Sequence, residues 1–140
     1  MYSDFAEHLD SLECLESTRL KRAYLALIMQ ISVGGLEVRV RRIEGVRELL
    51  FRDAAGRQPC AAIVRPGSLI FCLRGPMLEW QPGLAAEAIR RFESRLESAA
   101  NPSAEVQIRL ESPADVDEMM EFLRLKPRLV SLGYGAHISA

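Results

Sequence analysis

The stretch Leu36-Glu37-Val38-Arg39-Val40-Arg41 decides the fold. Apolar and charged residues alternate in it, so an extended chain has one oily side and one side carrying Glu37, Arg39 and Arg41. Upstream, Leu20, Tyr24, Leu27, Ile28 and Ile31 repeat at helical spacing, and Gly34-Gly35 marks where that helix stops. Downstream, further strand segments follow at short intervals. Glu44-Gly45 makes a tight connection to Leu49-Leu50-Phe51-Arg52. Asp53-Ala54-Ala55-Gly56-Arg57 reads as a hairpin loop before a third strand, Cys60 to Arg65. Arg65-Pro66-Gly67-Ser68 has Pro and Gly at the central positions of a type II turn, leading into a fourth strand, Leu69 to Arg74.

Helices flank this meander. Phe5, Leu9 and Leu12 share one face of an N-terminal helix, with Ser3 or Asp4 as its cap. The pattern resets at Glu16-Ser17-Thr18, which gives either one bent helix or two. Pro82-Gly83 opens a long helix over 83–100, with an apolar stripe from Leu84 through Ala88 and Phe92 to Leu96 and Ala99. A single strand over 104–110 follows, with Val106, Ile108 and Leu110 alternating with Gln107 and Arg109. Ser112-Pro113-Ala114-Asp115 starts a last helix, and Pro127 stops it. The tail from Leu129 to Ala140 is expected to be partly docked and partly loose. The expectation is one α+β domain over 1–140. Its antiparallel β-meander has about five strands, and the N-terminal, middle and C-terminal helices pack on one face.

Charge narrows the function. The net charge is −1, whereas nucleic-acid binders are usually basic, because neutralising phosphates supplies most of their affinity. The balance is uneven, however. Residues 36–80 hold eight arginines against five acids. Arginine forks suit carboxylate or phosphate partners, although a GC-rich genome gives the same bias. Cys14, Cys60 and Cys72 cannot all pair within one chain, and none stands in a CxxC motif, which points to a reducing, cytoplasmic setting. Cys60 and Cys72 sit in apolar runs and read as small packed hydrophobes. The acidic N-terminus has no apolar signal core, and no run is long enough to span a membrane.

Motifs for catalysis are absent. The chain has no GxSxG elbow, Walker loop or GxGxxG. Its two histidines, His8 and His137, have no metal-ligand neighbours and read as a surface residue and a tail residue. Asp115, Asp117, Glu118 and Glu121 crowd the first turns of a helix, where the helix dipole favours acids. No enzyme activity, cofactor or metal is expected. The arginines on or beside the strands, Arg39, Arg41, Arg47, Arg52, Arg65 and Arg74, are the strongest remaining feature. Several of them share the open sheet face if the apolar set faces the helices. An antiparallel sheet also needs a polar face for its own sake. Trp80, in Glu79-Trp80-Gln81-Pro82-Gly83, sits on a connection, either as an interface anchor or as a plug at the edge of the core. The candidate binding residues are therefore Arg39, Arg41, Arg52 and Trp80.

Two resemblances bear on this. Leu49-Leu50-Phe51, Cys60 to Pro66, Leu69 to Arg74 and Val106 to Asp117 together resemble small uncharacterised α+β domains that occur alone or attached to restriction and DNA-modification proteins. That family implies no catalytic residues. The layout is also similar to class I type III secretion chaperones, which are small, acidic and dimeric. This second resemblance implies dimerisation through the middle helix, here 83–100, and a hairpin between the last two helices, where the sequence reads as one strand. Both imply a bacterial chain. The expected function is a non-catalytic module that binds a protein partner through an Arg-rich sheet face. The alternatives are a homodimeric chaperone-like adaptor and an accessory nucleic-acid-binding domain, the latter disfavoured by net charge.

Overall fold

The computed structural model describes residues 2–102 and 104–124. Two helices, α1 (Tyr2–Cys14) and α2 (Thr18–Val33), precede four consecutive antiparallel strands. These are β1 (Glu37–Ile43), β2 (Val46–Arg52), β3 (Cys60–Arg65) and β4 (Ser68–Arg74). Two short helices follow, α3 (Gly75–Trp80) and α4 (Leu84–Arg91), then a 3₁₀ turn over Glu93–Arg95. The hairpin β5 (Leu96–Asn101) and β6 (Glu105–Leu110) and the helix α5 (Pro113–Arg124) complete the order. The six strands form one sheet, β1-β2-β3-β4-β6-β5. The fold is α+β, as the sequence predicts, with six strands instead of about five. No helix among the described residues is long and apolar enough to cross a membrane. His137 and the tail lie outside the described residues.

Local chemistry explains most boundaries. Ser17 splits the N-terminal region into two helices, because its hydroxyl accepts the Leu20 N–H and caps α2. Glu44 and Gly45 both have positive φ, 51° and 81°, between the paired residues Ile43 and Val46. That is the two-residue hairpin geometry that matches strand twist. Gly67 does not have positive φ, so the Pro66-Gly67 connection is not the expected type II turn. Its Pro66 carbonyl instead accepts the Glu16 N–H and ties the α1–α2 joint to the sheet. Ser112 caps α5 by accepting the Asp115 N–H, and the Asp115 carboxylate reaches back to the Glu111 N–H.

The expected helix over 83–100 is half correct. α4 stops at Arg91, and Leu96–Asn101 is a strand. Arg95 fixes the switch. Its guanidinium donates to Asp115 and Glu118 on α5 at 2.7 and 2.6 Å and lies over the Phe92 ring. The chain beyond it then pairs with β6, Leu96 opposite Ile108. Tertiary pairing overrides a run of good helix formers here. Leu84, Ala88 and Phe92, the stripe that the sequence allows either to pack on the chain's own sheet or to form a dimer seam, are buried in the chain's own core.

The sheet has two unlike faces. Leu49, Phe51, Cys60, Ala62, Leu69, Phe71, Leu73, Val106 and Ile108 point toward the helices and form the main core. Every helix contributes to it, with Tyr24, Leu27, Met77, Phe92, Met119 and Phe122 among its members and Leu12 of α1 against its edge. Arg47 also points to this side, against expectation. It reaches α1, donating to Asp10, to the Glu7 carbonyl and to Ser11. His8 is likewise not a free surface residue: its Nδ1 lies 2.6 Å from the hydroxyl of the buried Tyr24. The outer strands are β1, edged by Glu37, Arg39, Arg41 and Arg42, and β5, whose pairing slips register between Leu96 and Ser98 and again before Asn101.

Candidate binding face

The alternation that points Val38 and Val40 at the helices turns Glu37, Arg39 and Arg41 to the opposite face. The ladder carries the same side across the sheet, since Arg39 pairs with Leu50, Leu50 with Ala61, and Ala61 with Cys72. Arg52, Arg65, Arg74 and Arg109 stand on this face too, with Glu48 and Glu105 among them. At its centre lies a second apolar patch, Leu50, Ala61, Ile70 and Cys72, with Ile63 against it. Alternation marks β1 as half-buried; the second patch corresponds to the unbroken apolar runs of β3 and β4.

The guanidinium wall is largely neutralised from within. Glu48, buried between two arginines, accepts from Arg41 at 2.5 Å and from Arg74. Arg74 also reaches Glu105 at 3.2 Å. Glu97, on the β5 edge, is shared by Arg65 at 3.5 Å and Arg109 at 3.3 Å. Arg39 lies 3.8 Å from Glu37. A face with carboxylates at this density is a mixed-charge surface and a poor phosphate track. Burial pushes the Glu48 carboxyl up, but its bonds to Arg41 and Arg74 outweigh this and hold it below its ordinary 4.5. A depressed carboxyl adds stability above the unfolded value and loses it as pH falls through the folded one. Urea midpoints of the wild type should therefore drop below about pH 4.5 more steeply than those of Glu48→Gln, and parallel profiles would rule the clamp out.

Arg52 differs from its neighbours. Among the described residues it has no carboxylate in ion-pair range, and its Nε is buried without a hydrogen-bond partner. It lines a cleft of about 340 Å³ with Ser32, Gly35, Leu36, Glu37, Asp53 and Ala54, where α2 hands over to β1 and β2 ends. The cleft wall is held by Asp53. This fully buried carboxylate accepts the Ala55 and Arg57 N–H groups and the Arg57 Nε, each at 2.9 Å. The Arg57 guanidinium then lies 4.9 Å from the centre of the Trp80 ring.

Of the four candidate residues, Arg39, Arg41 and Arg52 share the open face. Arg39 and Arg52 are diagonal neighbours on either side of Glu37. Trp80 is the last residue of α3 and not part of a loose connection. It stands at the Arg52 end of the sheet, linked there through Arg57 and Asp53. Sequence reading missed the Asp53–Arg57 clamp, although an Asp opening a Gly-containing loop is the signal for an Asx turn. Burial pushes the Cys72 thiol up to about 12, with the nearby Glu105 carboxylate adding to it. The Cys60 thiol is also raised by burial. Neither thiol is an ionised nucleophile. Among the described residues no group of three His, Cys, Asp or Glu side chains is placed to hold a metal ion. A scan against protein-family models, a search of curated proteins and a search of solved structures each find no match to this chain.

Proposed function

We propose that this chain is a non-catalytic binding module whose open sheet face engages a protein partner, with an acidic side chain of that partner entering the Arg52 cleft. The observation that carries this reading is the asymmetry among the arginines. Arg41, Arg65, Arg74 and Arg109 are matched by carboxylates of this chain, whereas Arg52 has a buried, unsatisfied N–H. A buried donor without an acceptor costs about 1–3 kcal/mol, which a partner's carboxylate recovers on binding. Arg39, half-exposed one diagonal away, extends the same site, and Trp80 supplies an aromatic rim. The mixed charge of the face favours a protein over a nucleic acid.

The test uses the purified full chain as bait in three forms: wild type, Arg39→Ala/Arg52→Ala, and Lys21→Ala/Arg90→Ala as a control on the helix side. A true partner should bind the wild type and the control alike and the first variant at least ~10-fold more weakly. Proteins retained equally by all three would overturn the assignment.

A further inference from the structure

The outer side of α2 departs from the rest of the helix layer. Tyr24, Leu27 and Ile31 bury one side of it in the core, and the opposite side of such a helix is ordinarily polar. α5 follows that rule, with Asp117 and Glu121 in water, and so does α4, with Arg90 and Arg91. On α2 the exposed side chains beyond Arg22 are instead Leu25, Met29, Ser32 and Val33, with Met29 65% and Val33 80% in solvent. Leu25, Met29 and Val33 stand four residues apart, so they form one ridge about 12 Å long. Phe5 and Leu9 of α1 are exposed too, and His8 ties α1 to α2 through Tyr24. Five of the seven large apolar side chains exposed among the described residues therefore sit on these two helices; the other two, Ile43 and Val46, flank the β1–β2 turn. At these exposures the five leave on the order of 500 Å² in water, more than half of the roughly 800 Å² per partner that a standard interface buries.

The ridge suits a second copy of itself. A two-fold contact needs a patch in which each residue meets its counterpart or exchanges places with another. An antiparallel copy crossing at Met29 sets Met29 against Met29 and Leu25 against Val33, in both directions. Methionine at the crossing adapts its shape to a flexible twin. Charge fits the same arrangement. Arg19, Lys21 and Arg22 crowd the start of α2, and no charged residue occurs from Ala23 to Leu36. The helix has no acid in its first turn and no base in its last, so its own charges oppose its dipole. In the antiparallel pair Arg22, seven residues before Met29, lies toward the negative end of the other α2.

We propose that α2 pairs with α2 of a second copy, antiparallel across a two-fold axis at Met29, with Phe5 and Leu9 at the margin of the contact. Met29, in water in a single copy, then adds to association and little to the folding of one chain. The inference stands apart from the partner reading, because the pairing uses the helix side and leaves Arg39, Arg41 and Arg52 on the opposite face.

The mass of the full chain, followed by sedimentation from tens to hundreds of micromolar, should rise from one copy to two. Leu25→Glu/Met29→Glu should weaken association at least ~100-fold, while glutamate, a good helix former, keeps the single copy folded. Ile43→Ser/Val46→Ser, at the other exposed apolar pair, should associate like the wild type. Geometry is read by mild oxidation in a Cys14→Ser background: Met29→Cys should link two copies, and Glu121→Cys should not. A wild type that stays at one copy at hundreds of micromolar overturns the pairing, whatever else the ridge takes up. So does undiminished association of Leu25→Glu/Met29→Glu, its loss in Ile43→Ser/Val46→Ser, or linking of Glu121→Cys as fast as Met29→Cys. None of these readouts depends on whether Arg39→Ala/Arg52→Ala loses a partner.

Discussion

Phe71→Ala is expected to cost about 3–5 kcal/mol of folding stability, the range for deleting a fully buried aromatic side chain. Phe71 lies in the middle of β4, paired with Ala62 on one side and Ile108 on the other. Its ring centre is 6.0 Å from that of Phe51, and no part of it reaches solvent. Its cross-strand partners on this face are Ala62 and Ile108, and all three belong to the main core. The lost transfer energy and the residual cavity therefore add. Phe71→Leu, which keeps most of the volume, should cost less than half as much. Met29→Ala, at a side chain 65% exposed on α2, should stay within about 0.5 kcal/mol. Urea unfolding with an unchanged slope reads all three. A Phe71→Ala loss below about 1 kcal/mol would show that the helices do not close on this strand as described.

Asp53→Ala should be nearly as damaging, about 2–4 kcal/mol, for a different reason. Alanine removes the buried acceptor that three bonds from the loop converge on, the Ala55 and Arg57 N–H groups and the Arg57 Nε, and hydrogen bonds to a charged group are worth about 1.5–3 kcal/mol. It also frees the Arg57 side chain from the carboxylate that aims it at Trp80. Because Trp80 is the sole tryptophan, its emission reports on this directly. Quenching by acrylamide should rise in Asp53→Ala. Asp53→Asn keeps a side-chain oxygen for the two N–H groups and should lose about half as much stability. Equal losses in the two variants would place the effect on the charge and not on the loop.

Much of this architecture was legible from residue order, and the failures have identifiable causes. Alternation in β1 and β6 and the turn residues between β1 and β4 place those strands and their facing, because register is tied to which side is buried. The same alternation puts Arg39, Arg41 and Arg52 together without any coordinates. Two features were not legible. Leu96–Asn101 has a helix-favouring composition, and only the free edge of β6 and the anchoring of Arg95 on α5 make it a strand. The pairing of Glu48 with both Arg41 and Arg74 joins β1, β2 and β4 across the sheet, a relation that no local window contains. Arg47 shows the limit from the other direction. Its place on the helix side follows from the β2 register, but the apolar pattern there begins only at Leu49.

The sheet's two margins carry a consequence of their own. β1 lines its outer edge with charged side chains, and β5 slips register twice, two devices that discourage another chain from pairing at either border. An association that respects these borders works through side-chain chemistry, which yields to ionic strength, and not by adding one more rung to the ladder.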